Sequence, residues 1–411
     1  MSPKSSDLKL KEALFLYKIT SGYLPIFAYL IPLAAFIFVL KYYISTRYHH
    51  FVPYLYEYFL PALFAFVLVL ILVPLCIKIA RHFNIQDSSG GMKSHLIPTP
   101  LLGGIGIYTA FLIVALFYQP WSPQLTAIII ASSIMVVMGT IDDIWSLSSI
   151  VRLLGQLLAA GIVMSVGVKV SFLPHTWWGE CLTVLITSIW ILGIVNATNF
   201  VDGADGLAAG FAVIASIFFF LIALHLDQFG ILLIPSILIG AGLGFLVFNF
   251  KPAKIYLGDG GSTFLGFMLA CLSLYGSCAT WNPIVAVSIP IMILSVLIFD
   301  MIYITVSRIK NRQVRSFKEW LDYRGHDHYH HRLMHLGFKE DAAVVFIYST
   351  SIVMGLSALV IENARTSFPV VVLMIQAIMI FINITILMLI GRQTTVSVQN
   401  GAPKYPDEYP K

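Results

Sequence analysis

The 411-residue chain is 58% hydrophobic and only 11% charged, with a mean hydropathy of +0.87 and a formal net charge of +5. A water-soluble protein of this size could not hide so much apolar surface, so the composition excludes a soluble enzyme and predicts a polytopic membrane protein. Nucleic acid, the usual partner of a basic soluble chain, is not expected; the lipid bilayer is, and the position of each charge carries the information.

The chain opens with the polar stretch MSPKSSDLKLKEALFLYK, which has no apolar core followed by a small-residue cleavage site, so no cleaved signal peptide is expected. A hydrocarbon core of about 30 Å needs roughly 20 apolar residues in a helix. Twelve runs qualify: Tyr23–Ile44, Tyr54–Ala80, Leu101–Tyr118, Leu125–Ile141, Leu153–Val170, Cys181–Val195, Gly206–Leu224, Phe229–Phe248, Thr263–Cys278, Pro283–Val306, Ala342–Ile361 and Phe368–Ile390. Tyr23–Ile44 carries Pro25 and Pro32 and is the weakest full span. The fold class is therefore all-α, an integral membrane protein of eleven or twelve transmembrane helices. An N-terminal extension (1–53), a membrane domain (54–391) and a polar tail (392–411) divide it. Cys76, Cys181, Cys271 and Cys278 fall in or at the ends of apolar runs and form neither a disulfide framework nor a CxxC pair.

With the N-terminus in the cytoplasm and the spans alternating, only Lys41, Arg47, Lys169 and Arg365 of the 25 basic residues lie outside, a strong positive-inside bias. The polar interruptions then share the inner face, whereas the outer loops are short and aromatic. Five polar segments on one face predict one active site at the cytoplasmic membrane surface.

Each segment has its own chemistry. IDDIWSL places Asp142 and Asp143 at the inner end of a span, where adjacent carboxylates need a proton or a cation; a solvated loop or helix cap is the plainer alternative. Arg152, at the start of the next helix, could face a phosphate. NATNFVDGADGL offers Asn196, Asn199, Asp202 and Asp205, oxygen ligands that suit Mg²⁺ or Mn²⁺, or else an Asx-rich turn. In KIYLGDGGSTFLG, Asp259 sits among glycines that would let backbone N–H groups approach an anion such as a diphosphate, although no Walker lysine follows. Tyr256 could stack on a base or anchor at the interface. HDHYHHRLMHLG holds His326, His328, His330, His331 and His335 with Arg332; anion binding is favoured over zinc, since HEXXH is absent and no cysteine lies nearby. MKSHLIPTPLLGG brings Lys93 and His95, Lys93 either as a phosphate ligand or as an ordinary positive-inside residue. Asp300 stands inside an apolar run about two turns before Arg308, a costly place that makes it a functional candidate, with structural packing the alternative.

Five ordered motifs, KSHLIPTPLLGG, DDIWSLSSIVRLLGQ, NATNFVDGADGLAAG, IYLGDGGSTFLGF and HYHHRLMHLG, resemble those of the polyprenyl-phosphate N-acetylhexosamine-1-phosphate transferases. The resemblance runs from Lys93 to Gly337. It implies that a lipid phosphate attacks the β-phosphate of a UDP-sugar and releases UMP. It assigns Mg²⁺, with Mn²⁺ as a substitute, to Asn199 and Asp259. It makes Asp142 and Asp143 the paired carboxylates that accept the proton of the lipid phosphate or orient it near the metal, and adds Asp202 to the catalytic set. Substrate contacts fall to Lys93, Arg152, Asp205, Tyr256 (stacking on uracil), His328, His330, His331 and Arg332. Arg152 replaces a common lysine, and Leu101 a common arginine. The HYHHRL form is closest to members using GlcNAc, so UDP-N-acetylhexosamine and undecaprenyl phosphate are the expected partners in a bacterial inner membrane, and a homodimer stays open. The competing expectations are a phospho-MurNAc-pentapeptide translocase and, in a different class, a non-catalytic transporter of lipid-linked sugar or phosphate.

Overall fold

The computed structural model describes residues 52–87, 98–118, 122–275, 282–316, 319–320, 328–364 and 366–401. The run Tyr23–Ile44, Lys93, His95 and His326 lie outside these residues. The chain divides into two compact units after Tyr56, and, apart from the first residues of the helix that begins at Val52, all that follows concerns the second.

Helices dominate because a chain in hydrocarbon must satisfy its backbone groups internally. In chain order they are α1 (Val52–His82), α2 (Gly103–Phe117), α3 (Pro123–Trp145), α4 (Ser149–Ser165), α5 (Trp177–Val201), α6 (Leu207–His225), α7 (Leu233–Asn249), α8 (Gly258–Tyr275), α9 (Pro283–Ile293), α10 (Ser295–Lys310), α11 (Tyr329–His335), α12 (Glu340–Glu362) and α13 (Ser367–Gly401). Starts are marked by side-chain caps: Ser122, Ser148, Thr176 and Asn282 each accept a backbone N–H one turn in, and Pro123 and Pro283 follow two of them. The only strands among the described residues are the two-residue β1 (Gln86–Asp87) and β2 (Thr99–Pro100), paired antiparallel.

Every expected run within the described residues is helical, but not every one is a full span. Among the described residues, seven helices are long and apolar enough to cross a membrane, and an eighth span results if α9 and α10 are joined. Those two replace the expected straight run Pro283–Val306: they bend by 75° at Leu294, one turn after Pro290. The expected spans Leu101–Tyr118 and Leu153–Val170 are helices of only 15 and 17 residues, because Leu101–Leu102 and Val166–Val170 are spent on turns. The run Thr263–Cys278 starts earlier than its hydropathy suggests, at Gly258, since the polar GDGGS stretch is already helical.

α8 is the centre. It packs against α2, α3, α5 and α6, and 15 of its 18 residues are buried. Glycines allow this. A Cβ on Gly139 of α3 would fall 2.5 Å from the backbone N and Cα of Gly260, and one on Gly104 of α2 would overlap the backbone of Gly261. The loop before α8 is stapled to the start of α2: Gly103 and Gly104 donate to the carbonyls of Tyr256 and Leu257, and Tyr256 N–H donates to that of Pro100. The far helix ends, expected to be poor in charge, carry two ion pairs. Lys169 pairs with Glu180 at 2.7 Å, and buried Glu362 meets His225 at 2.5 Å.

Candidate active site

The C-terminal ends of α3 and α5 and the N-terminal end of α8 bring Asp142, Asp143, Asn199 and Asp259 together. The two adjacent aspartates point to different tasks. Asp143 accepts from the backbone N–H groups of Asp259 (2.8 Å) and Gly260 (3.2 Å). A carboxylate here meets the positive end of the α8 dipole and ties α3 to α8. The anion that this glycine-rich start was expected to cradle is thus a side chain of the protein itself. The glycines serve helix approach, and Gly258, at φ +74°, takes a backbone conformation that other residues rarely adopt.

Asp142 is buried. Its Oδ1 accepts from Leu147 N–H at 2.5 Å, its Oδ2 from Arg152 Nη1 at 3.2 Å, and its carboxyl group lies within hydrogen-bond reach of Asp259. Arg152, expected on a phosphate, is therefore on a carboxylate in this conformation. Asn199 Nδ2 donates to Asp259 Oδ1 (2.8 Å) and to Ser262 Oγ (2.9 Å). Ser262 escaped the sequence reading although it lies inside the quoted GDGGS stretch. Beside Asn199, Gln156 Oε1 accepts from Asn196 Nδ2 at 2.9 Å, and both line a small polar notch with Ser149, Arg152 and Phe200.

Among the described residues no three His, Cys, Asp or Glu side chains form a ready metal cage. Mg²⁺ does not require one, because it keeps waters and binds through one or two carboxylates plus substrate phosphate. Asp142 and Asp259, two carboxyl groups within reach of each other beside the Asn199 amide, are an all-oxygen donor set that fits such an ion, and a cation would relieve their repulsion.

Asp202 ends α5, and Gly203 follows it. His330 rests on Gly203, where a Cβ would stand 2.5 Å from its Nε2. His331 lies against His330 with ring centroids 4.1 Å apart, and His328 stacks parallel to His330 at 6.1 Å. The buried Nε of Arg332 has no hydrogen-bond partner among the described residues. His328, His330, His331 and Arg332 are thus brought to the Asp202 turn, and no zinc set forms among the described residues.

Asp205 and Tyr256 take other places than the resemblance implies. Asp205 is buried; its Oδ2 accepts from Ala253 N–H at 3.0 Å and its own N–H donates to Glu340. Glu340 also pairs with Lys251 at 2.6 Å, which raises the Lys251 pKa above its ordinary value. Tyr256 is only 3% exposed, so its ring offers no open face to a base in this conformation. Burial pushes its phenol up to about 12, against a hydrogen bond to Thr99. Glu340 and Lys251 carried no signal in the sequence; nothing in their spacing marks a pair 89 residues apart.

The fold and these residues define a class: a multi-pass helical membrane protein with an oxygen-rich cluster and a histidine–arginine loop at one end of its bundle. The profile of glycosyl transferase family 4 matches residues 125–277. The chain is 35% identical over 302 residues to a Bacillus subtilis protein described as "probable undecaprenyl-phosphate N-acetylglucosaminyl 1-phosphate transferase", covering 72% of this chain and 82% of that one. It is 30% identical to the decaprenyl-phosphate N-acetylglucosaminephosphotransferase of Mycobacterium leprae, over 73% and 82% of the two chains. A phospho-N-acetylmuramoyl-pentapeptide-transferase of Lacticaseibacillus paracasei is 31% identical over 62% and 82%. The chain belongs to glycosyl transferase family 4, the membrane-embedded polyprenyl-phosphate N-acetylhexosamine-1-phosphate transferases.

Proposed function

We propose that this protein transfers N-acetylglucosamine 1-phosphate from UDP-N-acetylglucosamine to undecaprenyl phosphate and releases UMP, at the cytoplasmic face of a bacterial inner membrane, so priming a cell-envelope glycan. The observation that carries the reading is the convergence of Asp142, Asn199 and Asp259, in a chain whose relatives are described as transferases of this kind. An oxygen of the lipid phosphate bonds to the β-phosphorus, and the bond from that phosphorus to the bridging oxygen of UMP breaks.

Asp259, Asp142 and the Asn199 amide would hold Mg²⁺, which when bound neutralises charge on the donor diphosphate. The chain's own groups supply the rest. Asp143, occupied at both oxygens, fixes α3 on α8 and so fixes Asp142 opposite Asp259. Arg152 orients Asp142 and places a positive charge beside the phosphates. His330, His331 and Arg332 offer donors to the sugar-phosphate oxygens. Positioning and charge neutralisation of this sort dominate phosphoryl transfer.

The test is a labelled-donor assay on purified protein with undecaprenyl phosphate, comparing UDP-N-acetylglucosamine, UDP-N-acetylgalactosamine and UDP-MurNAc-pentapeptide. Transfer from the first, with UMP as co-product, is expected. Transfer from the pentapeptide donor alone, or no transfer from any, overturns the reading. Cysteines placed at Gln86 and His335 should react only with membrane-permeant reagents in intact cells; labelling from outside would reverse the proposed orientation.

A further inference from the structure

Asp300 lies on α10, is 1% exposed, and stands one and a half turns after the bend at Leu294. An isolated carboxylate in so apolar a setting costs several kcal/mol unless its oxygens are engaged. Both are, and by the same short segment. Oδ1 accepts from Tyr329 N–H at 2.7 Å, and Oδ2 meets His328 Nδ1 at 3.1 Å. A carboxylate in this role only accepts, so the hydrogen of the second bond belongs to Nδ1, and Nε2 is the nitrogen turned away from Asp300.

The tethered ring then organises its neighbours. His328 lies against Phe200 of α5 at 5.3 Å and parallel to His330, with 7° between ring planes. His330 rests on Gly203, next to Asp202. Asp300 is thus joined through His328 and His330 to the turn that closes the catalytic end of α5. Nothing else in the proposed chemistry uses it.

We propose that Asp300 is the positioning residue of the histidine loop: it holds His328 in one orientation and one tautomer, and through it sets His330 over the Asp202 turn, where the sugar phosphate of the donor would bind. The proposal rests on the transferase reading above for its consequence, but not for its geometry.

Two measurements on the full-length protein test it, and they fail independently. The first is a double-mutant cycle. Asp300→Asn keeps an oxygen for Tyr329 N–H and loses the charged acceptor for His328; it should lower kcat/KM for UDP-N-acetylglucosamine by about 10- to 100-fold, by analogy with carboxylates that orient metal-bound histidines. In a His328→Ala background the same change should cost no more than about 2-fold, because its effect passes through that ring. Equal losses in both backgrounds overturn the proposal. The second readout needs no activity. Backbone hydrogen exchange of residues 328–336 should speed up about 10-fold or more in Asp300→Ala, and stay within about 3-fold of the parent in Asp300→Asn. Unchanged exchange in Asp300→Ala overturns the tether. If the parent protein moves no sugar phosphate from UDP-N-acetylglucosamine, the transferase reading falls, while the exchange result still decides the tether. If Asp300→Ala does not fold, the cycle with Asp300→Asn decides the case.

Discussion

The carboxylate cluster and the histidine loop meet at the Asp202 turn, yet they are held by different means. Asp142, Asp143, Asn199 and Asp259 sit on the ends of α3, α5 and α8; α3 and α5 each pack on α8 through glycine contacts at backbone distance. The loop of His328, His330 and His331 sits on a seven-residue helix and is anchored by the two oxygens of Asp300. The first region is fixed by the packing of long helices, whereas the second rests on one short helix, with Tyr329 and Leu333 buried and its start held by Asp300. A site that must hold a small, hard cation needs oxygens fixed to a fraction of an ångström.

Damage to the first region should therefore be nearly absolute. Asp259→Ala should remove turnover, and chelation should do the same to the parent protein, with activity returning on Mg²⁺ and not on Zn²⁺. Activity within a few-fold of normal in Asp259→Ala, or rescue by zinc alone, would break the assignment. Gly139→Ala sharpens the point without changing any polar side chain. Its Cβ would press on the backbone of Gly260, so α3 and α8 must part. Overpacking of this kind costs about 1–3 kcal/mol. A loss of about 10²-fold in turnover of the folded protein is expected, read by kinetics on equal amounts of monodisperse protein. Gly161→Ala, where a Cβ meets nothing within 4 Å, is the matched control and should leave turnover unchanged.

Arg152 comes next. Removing it leaves Asp142 and Asp259 facing each other without their positive neighbour. Arg152→Ala should lower kcat/KM by about 10- to 100-fold, with part of the loss recovered in Arg152→Lys, since charge accounts for most of the effect. Near-normal kinetics would reduce Arg152 to an anchor at the membrane surface. The smallest effect belongs to Lys251, whose side chain is 40% exposed. A pair of this kind contributes at most about 1 kcal/mol, so Lys251→Met should raise the donor KM by no more than about 2- to 3-fold. Its pKa is raised by Glu340, so its contribution to stability is fully present at neutral pH and is lost only as pH climbs past the ordinary lysine value. The difference in melting temperature between Lys251→Met and the parent should accordingly stay flat from about pH 6 to 9; a difference that changes within that range would mean another group is titrating.

Much of the candidate site was legible in the residues. The pairing of Asn199 with Asp259 joins two motifs whose oxygen chemistry had already marked them, and the apolar runs within the described residues are mostly helical. What misled was the assumption that a glycine-rich helix start is made for a ligand. The spacing of GDGGS is the same whether its N–H groups face a phosphate or Asp143, and only the approach of α3 decides. Tyr256 shows the same limit: an aromatic in a loop between helices can lie open to a base or be buried against β2 and the start of α2, as it is in this conformation, and its neighbours in sequence do not tell which.

The sequence by itself determined the class of molecule and the inventory of its chemistry, because apolar runs of membrane length and clustered Asp, Asn, His and Arg side chains leave few other outcomes. It also singled out Asp300, since an acidic residue in an apolar run is costly wherever the run folds. The tertiary structure decided the partners. Asp143 went to a helix start, Arg152 to Asp142, Asp300 to the histidine loop, and the run Pro283–Val306 broke by 75° so that α10 could lie against α5. Hydropathy follows transfer to lipid and says nothing of direction, whereas a hydrogen bond requires two groups within about 3 Å, and groups from residues 143 and 259, or 300 and 328, are brought that close only by the packing of whole helices.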